Sequence, residues 1–173
     1  MQYFKRELWL DVNTPSSGAA SSDQWMINLR AYQKQLKRLQ PRLGPRLYRF
    51  FTQISLHDGT LSMMSVGDKV RGRSGNKLRT EPFATLEVLD ASKSNRYTLV
   101  YEGIRRLVFD YPSEEPLFHY NENGPIGDWG YDEITPVDKT YLRHEVLFSS
   151  GTSLLLEFMR FKYRNARVKN KRA

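Results

Sequence analysis

Apolar side chains recur at every third or fourth position over residues 25–54, which is the spacing of one face of an α-helix. Pro41 and the Gly44-Pro45 pair interrupt this stripe, because proline has no backbone N–H to donate inside a helix. The pattern therefore predicts a helix over about residues 23–40 and a second over about 45–54, arranged as a helical hairpin or as one bent helix.

The segment before these helices has a different pattern. Residues 2–12 place apolar side chains at positions 4, 8, 10 and 12, which fits one face of a β-strand. The next stretch, 13–22, is rich in proline, serine and glycine, as loops are. The sequence therefore predicts an N-terminal strand that a loop joins to the helices.

Short runs of aliphatic and aromatic residues begin after Gly59 and predict β-strands. A glycine-rich basic stretch, 67–80, predicts a loop between the first two strands. An acidic stretch, 110–138, predicts a long irregular loop, and residues 165–173 form a basic tail. The predicted strands cover residues 60–66, 83–89, 96–101 and 105–111.

The last part of the chain has the pattern of a β-hairpin, with residues 141–149 and 152–163 on either side of Ser150-Gly151. A two-residue turn fixes which residues face each other, and in that register His144 lies opposite Glu157. The expected fold is a single α+β domain over residues 1–173. Its N-terminal strand and helical hairpin or bent helix pack on an antiparallel sheet of about six or seven strands.

Length and composition agree with such a domain. The chain has 173 residues, a mass of 20.3 kDa, 39% hydrophobic and 13% aromatic residues. No apolar run approaches the roughly 18 residues that a membrane span needs, and the N-terminal apolar stretch is interrupted by charges, unlike a signal peptide. Cysteine is absent, which excludes disulfides and cysteine-ligated zinc. We expect a cytoplasmic protein that holds no cofactor and no metal.

The net charge of +8 is unevenly distributed along the chain. Residues 24–56 and 160–173 each carry seven basic residues and no acidic one. The segment 110–138 carries eight carboxylates and no lysine or arginine. These opposite charges either neutralise each other on the folded surface or remain available to partners.

Aromatic residues accompany the carboxylates of the acidic segment, a combination that is typical of hot spots in protein interfaces. We therefore expect this segment to contact a protein partner. The candidate binding residues are Phe118, Tyr120, Trp129, Tyr131, Asp132 and Glu133.

The basic residues of the helices indicate an alternative, an RNA- or DNA-binding surface. Basic and aromatic residues also interleave at 46–51 and 160–164, as they do on surfaces that contact phosphates and stack bases. A solvated helix face over buried aromatic rings explains the same pattern. The candidate nucleic-acid ligands are Arg30, Lys34, Lys37, Arg38, Arg42, Arg46 and Arg49.

The expected His144–Glu157 pair is the most specific constellation of reactive groups. A carboxylate opposite an imidazole orients the ring and raises its basicity, which suits a general base. Such a pair within an apolar face is more often a satisfied structural contact in the core. The sequence has neither a phosphate-binding loop nor a nucleophile elbow, so we expect no catalysis.

Three short motifs resemble a group of small bacterial proteins, some of which are immunity proteins of polymorphic or contact-dependent toxin systems. The motifs are Leu56-His57-Asp58, residues 130–134, and the run from His144 through Gly151 to Phe158. The chain departs from that group at Gly59 and in its basic net charge. The resemblance implies a non-enzymatic protein and indicates no site. Together with the missing catalytic constellation and the segregated charge, it leads us to expect a protein that acts by protein–protein interaction, with toxin neutralisation as the role.

Overall fold

A computed structural model of the chain describes residues 1–13, 19–75, 77–111 and 125–168. The helices are α1 (Arg6–Asn13) and α2 (Ala19–Gln53). The strands are β1 (Gly59–Ser74), β2 (Lys77–Leu89), β3 (Asn95–Glu102), β4 (Arg106–Asp110), β5 (Asp128–Pro136), β6 (Leu142–Phe148), β7 (Ser153–Phe158) and β8 (Arg160–Arg167). The fold is α+β with an antiparallel sheet of eight strands, in place of the six or seven expected.

Helix α2 consists of two helical segments that meet at a kink, and the first of them continues past Pro41, where the sequence predicts it to end. The bend lies at Gly44, whose backbone angles (φ 70°, ψ 167°) are non-helical and are followed by Pro45. A positive φ costs glycine little because it has no Cβ. The apolar stripe predicted from the sequence faces the sheet and is buried at Tyr32, Leu36, Leu39, Leu43 and Phe50.

The N-terminal segment is not a strand. The backbone N–H groups of Gln2, Tyr3 and Phe4 all donate to the carboxylate of Glu133, and the chain then enters α1 at Arg6. Three consecutive N–H groups that point to one acceptor cannot alternate between two neighbours as they do in a sheet. The apolar residues of this segment, Phe4 and Trp9, are instead buried.

The sheet closes on itself because β3 leads directly into β4 and β7 leads directly into β8 along the chain. The strand order is β4-β7-β6-β5-β1-β2-β3-β8, in which β4 follows β3 after Gly103 and β8 follows β7 after Met159. β3 pairs with β8 and β4 pairs with β7. At the corner, Met159 N–H donates to the carbonyl of Glu102 at 3.1 Å. The end strands β4 and β8 are thus joined through β3 and β7, and the hydrogen-bonded sheet is closed.

The hairpin of β6 and β7 has a different register from the predicted one. Phe148 N–H donates to the carbonyl of Thr152 at 2.9 Å, which leaves three residues in the turn, and Gly151 there has φ 88°. The extra residue places His144 opposite Leu156 and moves Glu157 to the other face of the sheet. The predicted His144–Glu157 pair is therefore wrong.

Four predicted loop boundaries also change. The stretch 67–80 belongs to β1 and β2, apart from the turn between them, and β5 lies within the stretch 110–138. Of the loop expected at 13–22, the last four residues belong to α2. Of the basic tail expected at 165–173, the first three residues end β8. The remaining parts of these stretches include residues 14–18, 76, 112–124 and 169–173, which lie outside the described residues.

Candidate functional site

A cavity of about 770 Å³ lies between α2 and β5. Aromatic rings of Tyr32, Tyr48, Phe51 and Tyr131 contribute to its walls, and among the described residues Asp132 is the one carboxylate that lines it. We call this space, with these five residues, the aromatic cavity. Its volume lies within the range of small-molecule sites, which is roughly 300–1,000 Å³.

A β-bulge brings the polar floor of this cavity together. β5 shifts register between Trp129 and Tyr131, so that Trp129 and Asp132 share one face although they are three residues apart. Gly130 occupies the bulge, where a Cβ would lie 2.7 Å from the carbonyl oxygen of Leu147. The bulge therefore allows the Trp129 indole N–H to donate to Asp132 Oδ1 at 3.0 Å.

The second oxygen of Asp132 bonds to His144, which is fully buried. His144 Nε2 lies 3.0 Å from Asp132 Oδ2, and His144 Nδ1 lies 2.7 Å from the Tyr101 hydroxyl. A neutral ring that donates from Nε2 and accepts at Nδ1 satisfies both bonds. Burial, followed by the charge of Asp132, raises the pKa of Tyr101 and keeps its hydroxyl a donor. Hydrogen bonds from Trp129 and from His144, which is itself bonded to Tyr101, thus fix the Asp132 carboxylate.

His57 lies at the rim of the aromatic cavity. Its Nδ1 donates to the carbonyl of Gly130 at 2.6 Å, and its ring packs against Tyr131 with centroids 4.9 Å apart. Asp58 N–H donates to the carbonyl of Trp129 at 2.9 Å. Residues 56–57 and 130–132 therefore line this cavity, and His144 bonds to Asp132 beside it.

The residues expected to contact a protein partner divide into three groups. Trp129 and Glu133 are fully buried, so their side chains contact only this chain. Tyr131 and Asp132 are half-buried at the aromatic cavity. Phe118 and Tyr120 lie outside the described residues.

The basic residues of α2 are mostly exposed, as a nucleic-acid interface requires. Two of them also bond within the fold: Arg42 Nη1 donates to the carbonyl of Asp138 at 2.5 Å, and Arg46 Nη2 donates to the carbonyl of Tyr163 at 2.9 Å. Arg46 also lies over the ring of Tyr163. The exposed ones are Arg30, Lys34, Lys37, Arg38, Arg46 and Arg49, and Arg42 is half-buried.

Of the aromatic rings that alternate with basic residues, those of Phe50, Phe161 and Tyr163 pack within the fold, whereas Tyr48 and Phe51 are half-buried and line the aromatic cavity. Phe50 and Phe161 are buried, and Tyr163 packs against Phe50 with ring centroids 4.5 Å apart. For these three rings, the interleaved pattern at 46–51 and 160–164 therefore reflects packing of α2 on β8.

Glu157 has a structural partner set of its own on the other face of the sheet. Arg105 Nε and Arg143 Nη2 each donate to its carboxylate at 2.7 Å. Burial acts to raise the pKa of Glu157, but the hydrogen bonds from the two arginines outweigh it, and the pKa is lowered.

A feature that the sequence analysis missed is a two-stranded ribbon, residues 66–82, which we call the β-arm. The pairing of β2 with β3 ends at Phe83, and beyond it β1 and β2 pair with each other. Val66, Val70 and Leu78 lie on one face of the β-arm and are 58%, 58% and 56% exposed. The only signal for it in the sequence is a set of spaced aliphatic residues within the basic stretch.

Four cations converge on one carboxylate at the base of the β-arm. Lys69 Nζ and Arg71 Nη2 lie 3.0 and 2.8 Å from the carboxylate oxygens of Glu102, and Arg160 Nε and Lys162 Nζ each lie at 3.3 Å. The Glu102 side chain is only 4% exposed. We call these five residues the Glu102 cluster. Arg71 and Arg160 also bond to Glu81, which links the cluster to β2.

The four hydrogen bonds determine the charge state of Glu102. Burial alone raises the pKa of a carboxyl group, whereas bonds from cations stabilise the ionised form. For Glu102 the bonds prevail and hold its pKa well below the usual range. Glu102 is therefore ionised at neutral pH, and the cluster holds more cationic than anionic side chains.

No family model, curated protein or solved structure matches the chain. Within the described ranges, neither helix is long and apolar enough to cross a membrane. In the same part of the chain, no group of three or more histidine, aspartate or glutamate side chains is arranged to hold a metal ion.

Proposed function

We propose that the protein acts without catalysis by binding another protein through the β-arm. The observation that carries this proposal is the exposure of Val66, Val70 and Leu78 on one face of a ribbon that has no third strand beside it. A two-stranded ribbon is only marginally stable in water, so contact with a partner would stabilise both its strands and its aliphatic side chains.

The charge of the β-arm indicates the kind of partner. Residues 66–82 hold five basic and two acidic residues, and the Glu102 cluster adds Arg160 and Lys162 beside the base of the ribbon. We infer that the partner presents an apolar strip bordered by acidic side chains. The resemblance to immunity proteins makes the neutralisation of a toxin the role that we propose for this binding.

Nucleic-acid binding is the second candidate function. The exposed basic face of α2, which includes Arg30, Lys34 and Arg38, favours it. The β-arm favours a protein, because aliphatic side chains contribute little to binding phosphates and because carboxylates lie among its cations. We therefore place the protein partner first.

Affinity capture followed by reconstitution tests the proposal. The captured protein is purified, and its binding to wild type is compared with its binding to a triple variant, Val66→Ser, Val70→Ser and Leu78→Ser, by calorimetry. A matched control, Met26→Ser with Ile27→Ser, removes exposed apolar side chains from α2, where they are 45% and 56% exposed. We expect the β-arm variant to weaken binding by about tenfold or more and the control to bind as wild type does.

Equal loss in both variants, or none in the β-arm variant, contradicts the proposal. A parallel titration with labelled RNA and DNA at two salt concentrations separates the second candidate. Binding that falls steeply with salt and is lost in Arg30→Ala with Lys34→Ala, but not in the β-arm variant, would replace the protein partner by a nucleic acid.

A further inference from the structure

We propose that the aromatic cavity binds the cationic head group of a ligand, an ammonium or guanidinium group on an apolar body, with Asp132 as its counter-charge. This site is separate from the β-arm, since the cavity lies beside the start of β1 and Val66 lies seven residues further along that strand. At the usual rise per residue this separation is roughly 20 Å. The inference therefore does not depend on the proposed function.

Asp132, at the floor of the aromatic cavity, is a hydrogen-bond acceptor that neighbouring side chains hold in place. Both donors that hold Asp132, the Trp129 indole and the His144 ring, belong to fully buried side chains, whereas the Asp132 side chain is 25% exposed. A carboxylate has about four acceptor positions, and two are used by these donors. No other side-chain hydrogen bond to Asp132 comes from the residues that the structure describes, so the remaining positions can accept from a charged donor that enters the cavity.

The walls suit the apolar body and the charge of such a ligand. Tyr32 has a fixed ring, because its hydroxyl accepts the N–H of Ile134 at 3.1 Å. Tyr131 packs against Trp25 with ring centroids 4.7 Å apart, which fixes a second wall. The faces of aromatic rings attract cations, and this attraction is stronger where water is excluded. Preorganised rings and a preorganised carboxylate lower the cost of ordering the site on binding.

The charges around the cavity determine which groups compete for Asp132. Among the described residues that line the cavity, Lys37 is the only lysine or arginine, and it lies exposed on α2. The head group that we propose therefore belongs to a separate molecule, either a small amine or a basic side chain of another protein.

The test uses three probes that differ in charge and source. Phenethylammonium represents a small amine, N-acetyl-arginine methylamide represents a protein side chain, and 2-phenylethanol is the neutral counterpart of the first. The ¹H–¹⁵N NMR signal of the Trp129 indole, whose N–H bonds to Asp132, reports binding at the floor. We expect phenethylammonium to shift this signal at low millimolar concentration and 2-phenylethanol to bind at least about tenfold more weakly. The ratio of the affinities for the two charged probes separates the two sources.

Two variants test the role of charge. We expect Asp132→Asn to weaken binding of phenethylammonium by about tenfold or more, and Asp68→Asn on the β-arm to leave it unchanged. Because Asp132→Asn replaces one of the two acceptor oxygens that bond to Trp129 and His144 by a donor, it also changes the hydrogen bonds of the floor. Lys37→Met provides a second measurement at an exposed position, where loss of the competing charge should strengthen binding about twofold.

Several results would overturn the inference. They are equal binding of the neutral and charged probes, wild-type affinity in a folded Asp132→Asn variant, unchanged affinity in Lys37→Met, and no shift of the Trp129 signal by either charged probe at about 10 mM.

Discussion

Glu133 and Glu102 are nearly fully buried carboxylates of the same sheet, yet they are stabilised by different kinds of donor. Glu133 accepts hydrogen bonds from three consecutive backbone N–H groups at the start of the chain. Glu102 accepts its bonds from four cationic side chains, each at least one-third exposed. Neutral backbone N–H groups surround one carboxylate, and exposed charged side chains surround the other.

The difference teaches that burial of a carboxylate does not by itself indicate its role. Glu133 fixes the path of residues 2–4, so its bonds contribute mainly to the stability of the fold. Glu102 holds the cations at the base of the β-arm, so its bonds are sensitive to salt and to pH. Two measurements test these roles, and a third tests the exposed aliphatic residues of the β-arm.

We expect the largest effect from Glu133→Ala, which removes a fully buried carboxylate and leaves the buried N–H of Phe4 and the partly buried N–H groups of Gln2 and Tyr3 without their acceptor. The free energy of unfolding should fall by about 3 kcal/mol, because these groups lose their hydrogen bonds and are only partly reached by water. Urea denaturation followed by circular dichroism measures this change. Glu87→Ala, whose carboxylate lies 3.7 Å from Arg96 in a weak ion pair, is the matched control. A loss below about 1 kcal/mol for Glu133→Ala would show that these three hydrogen bonds do not stabilise the fold.

A smaller and pH-dependent effect is expected for Glu102→Gln. Because the cations lower the folded-state pKa of Glu102 below its unfolded value, ionised Glu102 stabilises the protein above the unfolded pKa, near 4.3. This contribution is lost as the pH falls from there through the folded pKa. The variant should lose about 1–2 kcal/mol at pH 7 and should approach wild-type stability as the solution is acidified.

Urea melts of wild type and Glu102→Gln at several pH values measure this difference, and melts at high salt repeat it with the cations screened. A difference that stays constant, or grows, on acidification contradicts the assignment of the lowered pKa to the Glu102 cluster.

The smallest effect on the free energy of unfolding is expected for substitutions at Val70 and Leu78, two exposed aliphatic residues of the β-arm. Val70→Thr with Leu78→Thr should change the free energy of unfolding by less than about 0.5 kcal/mol, because both side chains are already exposed. Leu86→Ala on the same strand pair, at a fully buried position, should cost about 3 kcal/mol. A large loss on changing the β-arm would mean that its strip packs within the fold, which removes the basis of the proposed interface.

The sequence predicted the type of those elements in which apolar residues recur at the spacing of a helix or of a strand throughout. The stripe of α2 fits a helix on both sides of Gly44, and the kink there follows from Gly44 and Pro45. The strand runs 83–89 and 96–101 lie within β2 and β3. In these elements one face packs on the core, so the sequence pattern and the burial agree.

The predictions that failed depended on a single residue or on a distant partner. A turn one residue longer changes which side of the sheet Glu157 occupies. The N-terminal segment has apolar positions that suit a strand or a short helix, and its outcome depends on Glu133, more than one hundred residues away. The β-arm is polar on one face and exposed on the other, so its strands lack the alternation that marks a buried face.

The candidate site was predicted only in part. Tyr131 and Asp132 do line the aromatic cavity, but the bulge at Gly130 that turns Asp132 toward Trp129 leaves no periodic signal in the sequence. His144 was recognised as a polar residue in an apolar face, whereas its partners Tyr101 and Asp132 could be found only from the pairing of strands distant in sequence.

The closed circuit of strands has a consequence for synthesis on the ribosome. β3 pairs with β8, whose residues are translated about sixty positions later, so the sheet cannot close when β1, β2 and β3 first emerge. Until then β3 presents an open edge, and Glu102 lacks Arg160 and Lys162. Such an edge invites pairing with other chains, and contacts distant in sequence form slowly. The nascent chain therefore passes through an interval in which aggregation competes with the arrival of its last strand.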